Sequence, residues 1–202
     1  MSSIFGILIL IIWAFLFYKD IKTKRINDKL YLLSNVLSIV FFVILSNFNI
    51  LDVFKFMIIQ TLLILAFVDI KHLEVDPKSY KYLLIPTLLN AFINNFPPIT
   101  NFISTIVVFL IFFLADKTMP SDNIGGGDIK ILLILSFNFA LLDVFSFMYM
   151  ALFINILLYL FLAIKNKRLK NVATPMIVSI TASCFINFFP IQFILEKIQS
   201  IM

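Results

Sequence analysis

The sequence predicts an all-α, polytopic integral membrane protein of about eight transmembrane helices. Composition is the first reason: 62% of the 202 residues are hydrophobic and only 13% are charged, too little polar surface for a soluble domain of this size. The second is that the apolar residues fall into successive runs separated by short polar breaks, and in lipid such runs satisfy their backbone groups as helices. The third is the placement of the basic residues, which alternates from one break to the next.

The first run, Ile4–Tyr18, is followed by Lys and Arg rather than preceded by them, and no small-residue cleavage site comes after it, so it reads as a retained span and not a secretory signal. Leu30–Leu45, Phe54–Val68 and Tyr80–Phe96 come next. Ile103–Leu114 and Ile129–Leu142 are the least clear as separate full-width spans. Phe145–Ile164 and Val172–Leu195 complete the set. No strand-type alternation competes with the helical reading. The first, third, fifth and seventh breaks carry fourteen of the sixteen basic residues, whereas the opposite side holds only Lys55 and Lys197. Basic loops stay in the cytoplasm, which puts both termini outside. The net charge of +5 is thereby explained as a topology signal toward the bilayer, with no nucleic acid partner required. The chain reads as one membrane-embedded unit over 1–202, with the first span and a basic cytoplasmic loop in 1–29 and the core in 30–202.

Some chemistries are excluded. Cys184 is the only cysteine, so neither an intrachain disulfide nor a cysteine zinc cluster can form, and it reads as a small buried or lipid-facing residue. His72 is the only histidine, which rules out a multi-histidine metal site. No metal and no cofactor are expected.

The longest polar stretches, Lys19–Lys29, Ile70–Lys81 and Asp116–Lys130, all fall on the cytoplasmic side. Most of the eleven acids are loop residues, and Asp52 and Asp143 fit ordinary caps near outside loops. Two acids differ. Asp69 follows Thr61-Leu-Leu-Ile-Leu-Ala-Phe-Val with no polar buffer, and Asp128 closes Ile124-Gly-Gly-Gly-Asp at the entrance to a span. Acids at that depth are costly and face a polar cavity or a partner. One helix runs inward and the other outward, so both acids reach the same cytoplasmic level. Three of the four glycines are consecutive, Gly125, Gly126 and Gly127, and as a loop before the span they allow positive φ and a close approach of another chain beside Asp128. Two adjoining carboxylates suit peptide-bond hydrolysis. Their like charges split the two pKa values, so that one ionised group activates water while the other gives a proton.

Asp69-Ile-Lys-His-Leu-Glu-Val-Asp-Pro with the following Tyr80-Lys-Tyr-Leu-Leu-Ile-Pro, and Gly125-Gly-Gly-Asp-Ile-Lys, resemble the two aspartate blocks of the type IV prepilin leader peptidases, membrane aspartyl proteases with a GxGD motif. Asn171-Val-Ala-Thr-Pro-Met-Ile-Val-Ser is similar to the start of their last span. The resemblance runs from about Leu30 onward. It implies an endopeptidase that cuts the basic leader from prepilins or pseudopilins at the cytoplasmic face of a bacterial membrane. By the same resemblance, Asp69 and Asp128 would carry the catalysis, and Gly125 and Gly127 match the glycines of GxGD, followed by Lys130. Glu74, Asp76, Asp116 and Asp122 are candidates to meet the basic leader. The sequence departs from many members in lacking the cysteine-bearing zinc loop, and its Asp76-Pro77 stands where Pro-Asp is usual. Some members also methylate the new N-terminus, an activity nothing here indicates. Asp20, in Tyr18-Lys-Asp-Ile-Lys, is a rival for the first aspartate, although it lies 108 residues from Asp128 against 59 for Asp69. A transporter, a pilus or secretion assembly component, and a GxGD protease for other substrates are the competing functions.

Overall fold

The computed structural model describes residues 18, 28–45, 50–72, 75–94, 98–118, 125–165, 167 and 174–188. The expected first span apart from Tyr18, the rival Asp20, and the acids Glu74 and Asp122 lie outside the described residues, as does the side chain of Asp116. The described chain is all-helical: α1 Asp28–Leu45, α2 Ile50–His72, a 3-10 turn Pro77–Tyr80, α3 Lys81–Ile93, α4 Pro98–Thr118, α5 Gly126–Ser136, α6 Leu141–Lys165 and α7 Met176–Phe188. Of these, α2 and α6 are long and apolar enough to cross a membrane, and α4 and α7 contain shorter apolar helices.

The boundaries depart from the expected runs where packing outweighs hydropathy. α2 continues past Val68, so Asp69 sits inside the helix rather than beyond its end. Asp52 and Asp143 stand in the first turns of α2 and α6, favourable places for an acid beside the helix dipole, rather than at the caps. The expected run Tyr80–Phe96 forms α3 from Lys81 to Ile93, led into by the 3-10 turn that Pro77 opens and Asp76 caps. The run Ile129–Leu142 divides. α5 ends at Ser136 and residues 137–140 form a turn before α6. With eleven residues, α5 is only about 16 Å long, roughly half the hydrocarbon thickness.

α2 is the central helix, packed against α7, α3 and α1, while α6 packs on α7 and α5 is held between α4 and α3. Ile58, Leu62, Leu65 and Val68 of α2 are fully enclosed. α6 is the opposite case, because Leu142, Phe145, Tyr149, Phe153, Ile156, Leu160 and Phe161 are all exposed. So continuous an apolar face is what lipid contact requires. Cys184 is fully buried in α7.

Polar side chains join the helices internally. The Tyr31 hydroxyl donates to the Tyr82 carbonyl at 2.9 Å and lies 2.8 Å from the Thr61 hydroxyl. Gln60 Nε2 donates to the Ser34 hydroxyl, and Ser183 donates to the Phe147 carbonyl at 2.8 Å. Within a membrane such bonds join helices at about 0.6 kcal/mol each. Three long-range contacts gather one end of the bundle: Lys81 with Asp28 at 3.3 Å, Asp69 with Ile177, and Tyr80 with Gly127. The starts of α1, α3, α5 and α7 and the end of α2 therefore share one end, in keeping with the expected sorting of the loops.

Candidate active site

At that shared end a cavity of about 420 Å³ opens, lined by Asp69, Val75, Pro77, Tyr80, Gly125–Gly127, Asp128, Lys130 and Ile177. α2 brings Asp69 to it. That side chain is only 7% exposed, and such burial demands a partner. The backbone N–H of Ile177, in the first turn of α7, supplies one by donating to Asp69 Oδ2 at 3.1 Å. A helix N-terminus is a favourable site for an anion, so α7 orients the Asp69 carboxylate and supports its charge.

α5 brings Asp128 to the same cavity. Gly125 is its N-cap, and the helix begins with the Asp128 N–H donating to the Gly125 carbonyl at 3.0 Å. Asp128 is thus in the first turn, ahead of the apolar stretch 129–136. Burial, and then the negative charge of nearby Asp69, push its carboxyl from the ordinary 3.8 up to about 7. It holds a proton through most of the acid range and near neutrality.

The glycines serve close approach, not unusual dihedral angles. None of Gly125, Gly126 and Gly127 has positive φ, and Gly126 and Gly127 already belong to α5, which corrects the expectation of a loop of three. A Cβ on Gly125 would stand 2.8 Å from Asp128 Oδ2, and one on Gly127 would stand 2.7 Å from the Tyr80 hydroxyl. A Cβ on Gly126 would meet nothing within 4 Å. The constraint thus falls on the two glycines that match GxGD and spares the middle position.

The structure accordingly brings Asp69, Asp128, the three glycines and Lys130 to one cavity. Asp76 flanks it without lining it, and one of its carboxylate oxygens accepts from the Lys78 N–H at 2.9 Å to cap the 3-10 turn. The inverted Asp76-Pro77 order thereby acquires a local reason, since the acid caps and the proline opens the turn. Two participants went unassigned in the sequence. The Ile177 N–H is a backbone donor, and its only signal is Pro175 ahead of a helix. Tyr80 stands in the first aspartate block, where its apolar neighbours disguise it as the start of a span.

Comparison with family models matches residues 56–164 to one described as the type IV leader peptidase family. No curated protein and no solved structure matches the chain. The matched segment is just over half of the sequence and contains Asp69, Tyr80, the three glycines and Asp128, and on that span the chain belongs to the type IV leader peptidase family.

Proposed function

We propose that the protein is a multi-pass membrane aspartyl endopeptidase that removes the basic leader of type IV prepilins or pseudopilins at the cytoplasmic membrane face. The observation that carries this reading is the convergence of Asp69 and Asp128, from different helices, on one cavity beside Gly125 and Gly127. Asp69 is the base. Oriented by the Ile177 N–H, it takes a proton from water as the water oxygen bonds to the scissile carbonyl carbon. Asp128 is the acid, and its proton goes to the carbonyl oxygen. Collapse of the tetrahedral intermediate breaks the C–N bond as one of its hydroxyl protons returns to Asp128, and the proton held by Asp69 passes to the departing amine. Glu74, Asp76, Asp116 and Asp122, close in sequence to the two aspartate blocks, take the positive charges of the leader. The whole chain forms one membrane-embedded unit with eight spans and both termini outside.

The deciding experiment is co-expression with a prepilin, comparing the wild type with Asp69→Asn, Asp128→Asn and Asp20→Asn. Cleavage is lost in the first two and kept in the third. Loss in Asp20→Asn with retention in Asp69→Asn transfers the first catalytic role to Asp20.

Two further results are expected. Because burial and the charge of Asp69 push the Asp128 carboxyl up to about 7 and its protonated form is the acid, the cleavage rate falls as pH rises through that value. A rate profile of the purified protein between pH 5 and pH 9 checks this, since a rate still rising at the alkaline end removes Asp128 as the acid. Gly125→Ala pushes the Asp128 carboxylate aside and lowers cleavage by about 10²-fold, the scale of a misplacement of about 1 Å. The backbone at Gly125, with φ −63° and ψ 127°, suits any residue, so a thermal melt of the variant stays close to wild type.

A further inference from the structure

The cavity holds an uncharged polar side chain that the two-aspartate scheme leaves unused. Tyr80 ends the 3-10 turn, a stiff platform with Pro77 at its start and Asp76 bonded to the Lys78 N–H. From there the phenol reaches across to α5. Its hydroxyl is so close to Gly127 that a Cβ there would lie 2.7 Å from the oxygen, while the next ring atom, Cζ, would be 4.0 Å away. The hydroxyl is thus held against the residue preceding Asp128, within the cavity that Asp69 also lines. Lys130 Nζ stands 5.9 Å from the ring centroid, a cation over the ring at the outer margin of cation–π range. Among the described residues no hydrogen-bond partner engages the hydroxyl. Burial and the charges of Asp128, Asp69 and Asp76 push the phenol above the usual tyrosine range, so it remains a donor at every pH at which the carboxylates work.

We propose that Tyr80 is a third catalytic residue, whose hydroxyl donates a hydrogen bond to the carbonyl oxygen of the peptide bond being cut. The inference rests on the peptidase reading above. The carbonyl oxygen has two lone pairs. Asp128 delivers its proton to one, and Tyr80 bonds to the other while keeping its own proton. The bond strengthens as the oxygen gains charge, so it acts on the transition state more than on the bound substrate. Asp69 then need not share Asp128 as its only counterpart, and Gly127 acquires a reason for being glycine: it is the space the phenol occupies.

The test is steady-state cleavage of a leader-bearing synthetic peptide by the full chain reconstituted in liposomes. Tyr80→Phe keeps the ring and its place over Lys130, and its kcat falls by about 10²-fold with KM nearly unchanged, the cost of one oxyanion donor. Gly127→Ala in the wild-type background displaces the hydroxyl and lowers kcat to a similar degree. In a Tyr80→Phe background the same alanine meets no atom closer than Cζ and adds little, so the two losses are not additive. Retention of at least half the wild-type kcat by Tyr80→Phe, a loss confined to KM, or additive losses in the double variant overturns the role of Tyr80. Asp128→Asn is the control. If it retains cleavage the peptidase site itself fails, whereas its inactivity beside an active Tyr80→Phe overturns this inference alone.

Discussion

Asp128→Asn is expected to lower cleavage sharply and to make the protein more stable. The amide has no proton to give, and loss of a general acid lowers the rate by about 10²–10⁴-fold. Stability moves in the other direction. Asp128 has a folded pKa of about 7 against an ordinary 3.8, so between those values the folded state holds a proton that the unfolded chain releases. Wild-type stability therefore declines as pH rises across that interval and levels off above it. The amide carries no charge to bury. Its advantage over wild type is absent below about pH 4, grows through the interval and is greatest above pH 7. There it reaches about 2 kcal/mol, roughly half the value of the full shift, because the carboxyl is partly open to solvent. Thermal melts of both proteins in the same detergent at pH 4 and pH 8 measure it. A dead variant that is also destabilised at pH 8 points to a structural role for Asp128.

Asp69→Ala loses cleavage to a similar extent and loses stability with it. The Ile177 N–H at the start of α7 is deprived of its acceptor, 3.1 Å away, and a buried unsatisfied donor costs about 1–3 kcal/mol. Asp69→Asn keeps an oxygen for that N–H, so it is equally inactive but folds more stably than the alanine variant. A melt that ranks the alanine variant at or above the asparagine variant removes the bond to α7 from the account.

That Asp69 and Asp128 meet at one cavity was legible because an acid directly abutting an apolar run is conspicuous, and one stands at the end of such a run and the other at the start of another. The glycines were half legible. Close approach was anticipated, but the atoms approached, Asp128 Oδ2 and the Tyr80 hydroxyl, belong to tertiary structure. The break after Ser136 was hidden because Phe137, Phe139 and Ala140 keep the stretch largely apolar around a single Asn138. The turn is marked instead by a buried bond, Asn90 Nδ2 donating to Asn138 Oδ1 at 2.7 Å, between residues 48 positions apart. A backbone donor such as the Ile177 N–H has no residue type to announce it. Asp76 was read by its charge alone, while its pairing with Pro77 gives it work as a cap.

The central claim is that Asp69 and Asp128 act as one unit. Cleavage of a leader-bearing peptide by the purified protein, compared among Asp69→Asn, Asp128→Asn and the double variant, tests it most directly. The account predicts the same residual rate in all three, because removing either member disables the pair and the second substitution has nothing left to remove. A single variant that keeps substantial cleavage, or a double variant whose loss is the product of the two single losses, contradicts it.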